Sequence, residues 1–350
     1  MDKIQEFTGC MNLTVSEAMR KIDQNAFGIL FLTDEQGTLQ ACLTDGDVRR
    51  FLLSGGKMAD PAMEAANKKP RTAGNLEDAR SLYHQKNYIV IPILDATGAI
   101  QDLYFGDETQ KEKNTKTPLN IPVVINAGGK GTRLDPFTRV LPKPLIPVGE
   151  LPIIEQIIRG YQAWSCNHFH IIVNYKKELI KAYFADNENH YDITWHDEEK
   201  PLGTGGGLSL LRGSLEGTFF FANCDALLTA NYESMLQFHR KNRNVVTMIC
   251  AYKNLTIPYG VVEMGKNGTI ESMQEKPSMS FLTNTGIYRV ESEILEEIDH
   301  NVTDGFPEII ERVRQKGKKA AAFPVSENDW MDMGQLPELE KMRIRLSGDR

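Results

Sequence analysis

The stretch NAGGKGTRLDPFTRVLPKP, Asn126 to Pro144, puts three glycines into four positions and follows them with an arginine and with a lysine between two prolines. It comes directly after PVVIN, Pro122 to Asn126, a short β-branched run that reads as a buried strand. A glycine-rich loop leaving the end of a strand is where open α/β sheets bind ligands. Neither common phosphate-loop pattern fits. A glycine, Gly131, separates Lys130 from Thr132, against the Walker order, and Leu134 stands where the dinucleotide fingerprint needs its third glycine. The physics still applies, because Gly128, Gly129 and Gly131 can adopt positive φ and let backbone N–H groups converge on an anion. The competing reading is a plain glycine turn with surface cations.

Working outward, strands and helices alternate from Ile121 onward. PIIEQIIRGYQAW carries a helical apolar stripe, and YESMLQFHRKN reads as a second helix. HIIVNY, ITWHDE, TFFFANCD and VVTMICAY read as strands. The expected architecture is α/β, a mostly parallel sheet with helices on both faces. Towards the N-terminus lies a weak internal repeat. Asp34, Gly37, Leu39 and Gln40 recur as Asp95, Gly98, Ile100 and Gln101, an offset of 61, and Ala18 recurs as Ala79. Each copy reads as a helix followed by strand, turn and strand, so two halves that bury each other's apolar faces are expected. Between the regions, DETQKEKNTKTPLN, Asp107 to Asn120, has no apolar period and reads as a linker. The domains are accordingly placed at 1–115 and 116–350.

A net charge of −7 argues against a nucleic-acid binder working through a basic surface. No apolar run is long enough for a membrane span. The five cysteines are scattered without a CxxC pair, which is neither a disulfide framework nor a zinc site. With no apolar signal-peptide core at the start, a cytoplasmic location is expected.

AGGKGTRLDPFTRVLPKPLIPVG resembles the signature of the sugar-1-phosphate nucleotidylyltransferases. EEKPLGTGGGL, FANCDAL, YGVVE, QEKP, NTGIY and WMDMG follow in that family's order, over about Ile121 to Leu339. The N-terminal repeat resembles a pair of CBS modules, with LTDGDVRR as the telling stretch. The resemblance implies a Rossmann-like nucleotidyltransferase preceded by an α+β CBS pair, in a homo-oligomer. It also implies joining of a nucleoside triphosphate and a sugar 1-phosphate, with release of pyrophosphate. Such chemistry asks for positioning and charge neutralisation, without a covalent intermediate.

On that resemblance, Arg133 and Lys143 are the catalytic cations. Ala127, Gly128, Gly129, Gly131, Thr132, Gly203 and Thr204 hold the nucleotide, and Asp225 and Asp332 hold Mg²⁺. Two carboxylates suffice for a cation that keeps waters and takes phosphate oxygens. Gly260, Glu275, Lys276, Asn284 and Thr285 take the sugar and its phosphate. Glu198 stands where uridylyl and thymidylyl members carry Gln. A carboxylate accepts the paired N–H donors of guanine, so GTP is favoured, with UTP, dTTP and CTP as alternatives. Thr44 and Asp47, in the T-x-x-D pattern, are the expected regulatory nucleotide site. Phe105 and Glu108 replace them in the second copy. A purely structural N-terminal module, a nucleotide-sugar sensor on an inactive fold, and a metal-dependent nuclease are the competing classes. The sugar is open, with glucosamine, mannose and heptose 1-phosphates in view.

Overall fold

The computed structural model describes residues 3–25, 27–85, 88, 90–106, 116–186, 189–300 and 302–347. The chain forms two compact units. One comprises Met1–Asn114, Tyr252–Leu282 and Ser326–Asn328, and the other Thr115–Ala251, Thr283–Val325 and Asp329–Arg350. Of the expected linker, residues 107–115 lie outside the described residues, as does Glu108.

The second unit is built on a seven-stranded sheet. Its strands run in the spatial order Asp192–Asp197, His168–Val173, Val123–Asn126, Thr218–Asn223, Ser278–Glu291, Val246–Thr256 and Ala320–Val325. The first four pair parallel, Ser278–Glu291 runs antiparallel to Thr218–Asn223, and the last two pair parallel. Strand alternation divides the side chains between two apolar layers. Val123, Ile125, Phe220 and Ala222 point into one, which the helices Ile153–Gln162 and Tyr232–Asn242 cover with Ile153, Ile157 and Met235. Val124, Phe219 and Phe221 point into the other, under Phe306, Ile309 and Val313 of the helix Phe306–Gln315. Helices therefore cover both faces, and a strand buried on both faces reads as a continuous apolar run, as PVVIN and TFFFAN do.

In the first unit the repeat is a structural one. The helices Val15–Asn25 and Leu76–Gln85 each precede an antiparallel pair, Ile29–Thr33 with Leu39–Thr44 and Ile91–Leu94 with Ile100–Tyr104. Asp34 Oδ1 accepts from the N–H groups of Gln36 and Thr38, and Asp95 Oδ1 accepts from those of Thr97 and Ala99. Gly37 and Gly98 both close their turns at positive φ, 81° and 84°. Both pairs break register at equivalent points, Leu32/Thr33 and Ile93/Leu94. The two turns meet at an antiparallel bridge between Thr38 and Ala99, which are themselves equivalent positions. This is local pseudo-twofold symmetry. The unit also holds a ribbon, Val261–Met264 with Ile270–Gln274, turned at Gly265–Gly268.

One feature of the second unit opposes stability. Arg289 is fully buried in the strand Ser278–Glu291, and none of its three guanidinium nitrogens has a hydrogen-bond partner among the described residues. The Phe220 ring lies 4.1 Å from the guanidinium carbon, and burial pulls the group's pKa down to about 10. A cation–π contact offsets only part of the cost of desolvating an unpaired charge. Arg289→Met should therefore raise the unfolding free energy by about 1–3 kcal/mol in chemical denaturation. A loss of stability would show that the guanidinium has a compensating partner.

Candidate functional site

Parallel pairing sets three chain ends side by side. Asn126 is in register with Ile172 on one side and Asn223 on the other. The glycine loop, the turn carrying Asp225 and the turn at Asn174 therefore leave the same edge of the sheet. Glu198 joins them just beyond Asp192–Asp197, where its N–H donates to Val173 O at 2.9 Å and its carbonyl accepts from the Asn174 amide at 2.9 Å. The glycine loop, Asn223 to Asp225 and Glu198 wall a cleft of about 340 Å³.

The glycines of the opening stretch do three different jobs. Only Gly131 adopts positive φ, 65°, and a methyl there would meet Lys143 Cβ at 2.9 Å. Gly128 makes room for an acid, since a Cβ would stand 2.8 Å from Glu198 Oε2. Gly129 faces open space. Ala127, expected at the nucleotide, is instead buried with its N–H donated to Ile172 O, and it does not line the cleft. Thr132 and Arg133 sit on the single turn Thr132–Leu134, and both side chains are exposed on the cleft wall.

Lys143 is 8% exposed, so it is no surface lysine, and its Nζ donates to Asp225 Oδ2 at 2.5 Å. Asp225 does not end the strand as expected. The strand stops at Asn223, and Asp225 lies in the turn before Ala226–Leu228. That short strand pairs antiparallel with Trp330–Asp332, with Ala226 opposite Asp332. Met333 N donates to Asp225 O at 2.9 Å, and Gly334 N donates to Asp332 Oδ1 at 2.9 Å. Burial, then the charge of Asp225, raises the Asp332 pKa, and Lys143 and Arg133 partly oppose this. Two mutually repelling carboxylates with hard oxygen donors fit a divalent cation that completes its shell with water and phosphate. Among the described residues no cluster of three or more His, Cys, Asp or Glu forms a closed metal cage.

Glu198 is 4% exposed on the cleft wall. Its carboxyl lies between two glycines, because a Cβ on Gly207 would meet Oε1 at 2.7 Å, and Oε1 has no hydrogen-bond partner among the described residues. Burial pushes its pKa up to about 7, with only the Leu202 backbone acting the other way. Gly203 and Thr204 also line the cleft, fixed by the Asn126 amide, which donates to both carbonyls at 3.3 and 3.4 Å. Asn126 was the missed member of this set. Its signal is a polar residue closing an apolar strand.

The remaining expected residues are placed elsewhere. Thr285 is buried, its hydroxyl donating to Ile249 O at 2.8 Å, and Asn284 binds the Tyr288 hydroxyl and the Gly286 N–H. Within the first unit a Cβ on Gly260 would stand 3.1 Å from Glu275 Oε2, and Lys276 adopts φ 46°, uncommon for a side-chain-bearing residue. Thr44 caps the helix Asp45–Leu53 in a capping box with Asp47, and Arg50 pairs with the second Asp47 oxygen. At the position equivalent to Thr44, Phe105 packs edge-on against Phe7 and Phe27.

The family model of the nucleotidyl transferases matches residues 122–346. The bifunctional protein GlmU of Methanococcus maripaludis is 30% identical over 229 residues, covering 60% of this chain and 51% of that protein. Mannose-1-phosphate guanylyltransferase 1 of Arabidopsis thaliana is 32% identical over 225 residues, 61% of each chain. The chain thus spans about half to three-fifths of these relatives. Among solved structures, HddC from Yersinia pseudotuberculosis complexed with GMP-PN superposes with a TM-score of 0.51 at 20% identity, over 65% of this chain and 99% of that one. A putative glucose-1-phosphate thymidylyltransferase from Bacillus anthracis gives 0.52 at 20% identity, over 66% and 96%. At that identity the likeness is one of fold. Among the described residues no helix is long and apolar enough to cross a membrane.

The raised Glu198 pKa has a consequence for stability. A carboxyl whose folded-state pKa lies above its ordinary value stabilises the fold at low pH, and that contribution is lost as pH rises through about 7. The loss amounts to about 3 kcal/mol. Glu198→Gln removes the titration. Its unfolding midpoint should exceed that of wild type near pH 8.5, and the excess should be smaller near pH 5.5. Equal differences at both pH values would contradict the assignment.

Proposed function

The chain belongs to the nucleotidyl transferase family, and from that premise we propose that it transfers a guanylyl group from GTP to a sugar 1-phosphate. A sugar-phosphate oxygen attacks the α-phosphorus in line, the bond to the β-phosphate oxygen breaks, and pyrophosphate leaves. The observation that carries the reading is the cleft's polarity. Its lining includes two cations, Arg133 and Lys143, and a buried carboxyl, Glu198, whose Oε1 has no hydrogen-bond partner among the described residues. A triphosphate needs the first, and a base presenting two N–H donors satisfies the second.

Arg133 binds the outer phosphates with forked hydrogen bonds, and Lys143 neutralises charge at the reacting phosphorus. Glycine-loop N–H groups orient the triphosphate. Asp225 and Asp332 would hold Mg²⁺, which when bound would polarise the α-phosphoryl and steady the leaving pyrophosphate. Lys143 then passes from Asp225 to the substrate. The resemblance assigns Gly260, Glu275, Lys276, Asn284 and Thr285 to the sugar and its phosphate. Pairing of CBS-like halves with a transferase is similar to the glucosamine-1-phosphate guanylyltransferase of legionaminic acid synthesis, which favours glucosamine 1-phosphate. The relatives named mannose-1-phosphate guanylyltransferase favour mannose 1-phosphate as the second reading. At the N-terminal pair, Thr44 and Asp47 are proposed to take one regulatory nucleotide, whose ribose exchanges hydrogen bonds with the capping box.

Pyrophosphate release, measured with each of GTP, ATP, CTP, UTP and dTTP against glucosamine, mannose and heptose 1-phosphates, tests the reading. GTP should be preferred. Asp225→Asn should lower turnover by orders of magnitude, since a metal in this role supplies several kcal/mol. Near-normal turnover by that variant, or by wild type in excess chelator, would refute the metal assignment.

A further inference from the structure

The Glu198 carboxyl is unusual among buried charges because a proton can remove its cost. Its Oε1 has no hydrogen-bond partner among the described residues, and its two oxygens sit against Gly128 and Gly207, positions where a Cβ would collide with them. Glu198 thus lines the cleft with one oxygen unpartnered and with the Leu202 backbone as a hydrogen-bond contact of its carboxyl.

The charged groups on the surrounding elements are mostly engaged. Lys143 pairs with Asp225, and Lys177 and Lys181 pair with Asp197. Lys176 donates to the carbonyls of Thr138, Arg139 and Val140. Lys130 and Arg133 come from the glycine loop, and Glu199 and Lys200 follow Glu198 in the chain. His196, two residues before, has its pKa lowered by burial. The run Gly203–Leu211 carries no charge at all. Of these groups none fixes Glu198 in its ionised form, which is why burial dominates its pKa of about 7.

The two protonation states present different edges. The ionised carboxyl is acceptor-only and meets both N–H donors of guanine. The protonated carboxyl has one O–H donor beside one carbonyl acceptor, the pattern of a glutamine amide. The N1–H and N2–H edge of guanine then meets a donor with a donor, and guanine keeps only the O6 and N1–H pattern, which gives it no advantage over a pyrimidine. Uracil and thymine, with an N–H flanked by carbonyls, meet a complement. We infer that the base pocket has a second substrate class under proton control: ionised Glu198 selects guanine nucleotides, and protonated Glu198 admits uracil or thymine nucleotides. This inference rests on the proposed guanylyl transfer and adds to it a pH at which the selectivity is lost.

The test is titration calorimetry of the full chain with GTP and with UTP, each with Mg²⁺, at intervals from about pH 8.5 to about pH 5.5. The ratio of the two dissociation constants is the readout, because ionisation of the triphosphate and metal binding are common to both nucleotides and cancel. Both bases stay neutral through this range. The preference for GTP should fall at least ~10-fold across it, with its midpoint near 7. Glu198→Gln should show a low preference that does not change with pH. A GTP preference constant with pH in wild type would overturn this inference and leave the proposed function standing. A fall of equal size in Glu198→Gln would do the same, since the effect would not then pass through Glu198. Preference for UTP at pH 8.5, or binding of neither nucleotide at any pH, would overturn the proposed function as well.

Discussion

Parallel pairing of Val123–Asn126 with its two neighbours is the constraint on which the site depends. Strands that run the same way end at the same edge, so the loops after them meet without long excursions. The register decides the rest. With Asn126 opposite Asn223 and Ile172, the glycine loop, Asp225 and Glu198 come to one cleft. A slip of one residue would exchange the two apolar layers, placing Val124 where Val123 and Ile125 pack. The core and the site are therefore specified by the same pairing.

The second unit buries two unpaired charges, and they differ in kind. Arg289 has no accessible neutral state, so its desolvation is met only by the Phe220 ring and by gains elsewhere in the core. Glu198 can neutralise itself, and the fold tolerates it in the absence of a ligand for that reason. Lys143 and Asp225 take a third course and neutralise each other.

Much of the architecture was legible because periodicity records burial. TFFFAN and PVVIN are apolar throughout, and they are covered on both faces. The repeat was legible because Asp34 and Asp95 use the same chemistry to hold the same turn. The bridge between Thr38 and Ala99 was not, because neither side chain encodes it. In the cleft, charge type was legible and engagement was not. Lys143 and Asp225 were read separately, 82 residues apart, and their mutual pairing needed coordinates. For Thr285 the motif was legible and the contact was not: its hydroxyl donates to Ile249 O on the neighbouring strand. Ala127 is similar, since nothing in the sequence beside a glycine loop says that its backbone N–H is held by Ile172.

The run Leu202–Gly207 lies against the segment 302–306 with no room for a methyl. A Cβ on Gly203 would stand 2.5 Å from Asp304 O, and one on Gly206 2.4 Å from Val302 O. This contact is made of backbone on both sides, roughly a hundred residues apart in the chain. Two side chains that touch can drift together over generations, one enlarging as the other shrinks, and the correlation betrays their proximity. Here there is no side chain to drift. Selection can only hold the glycines fixed, and a position that never varies correlates with nothing, so among homologous sequences this close approach would leave no covarying trace.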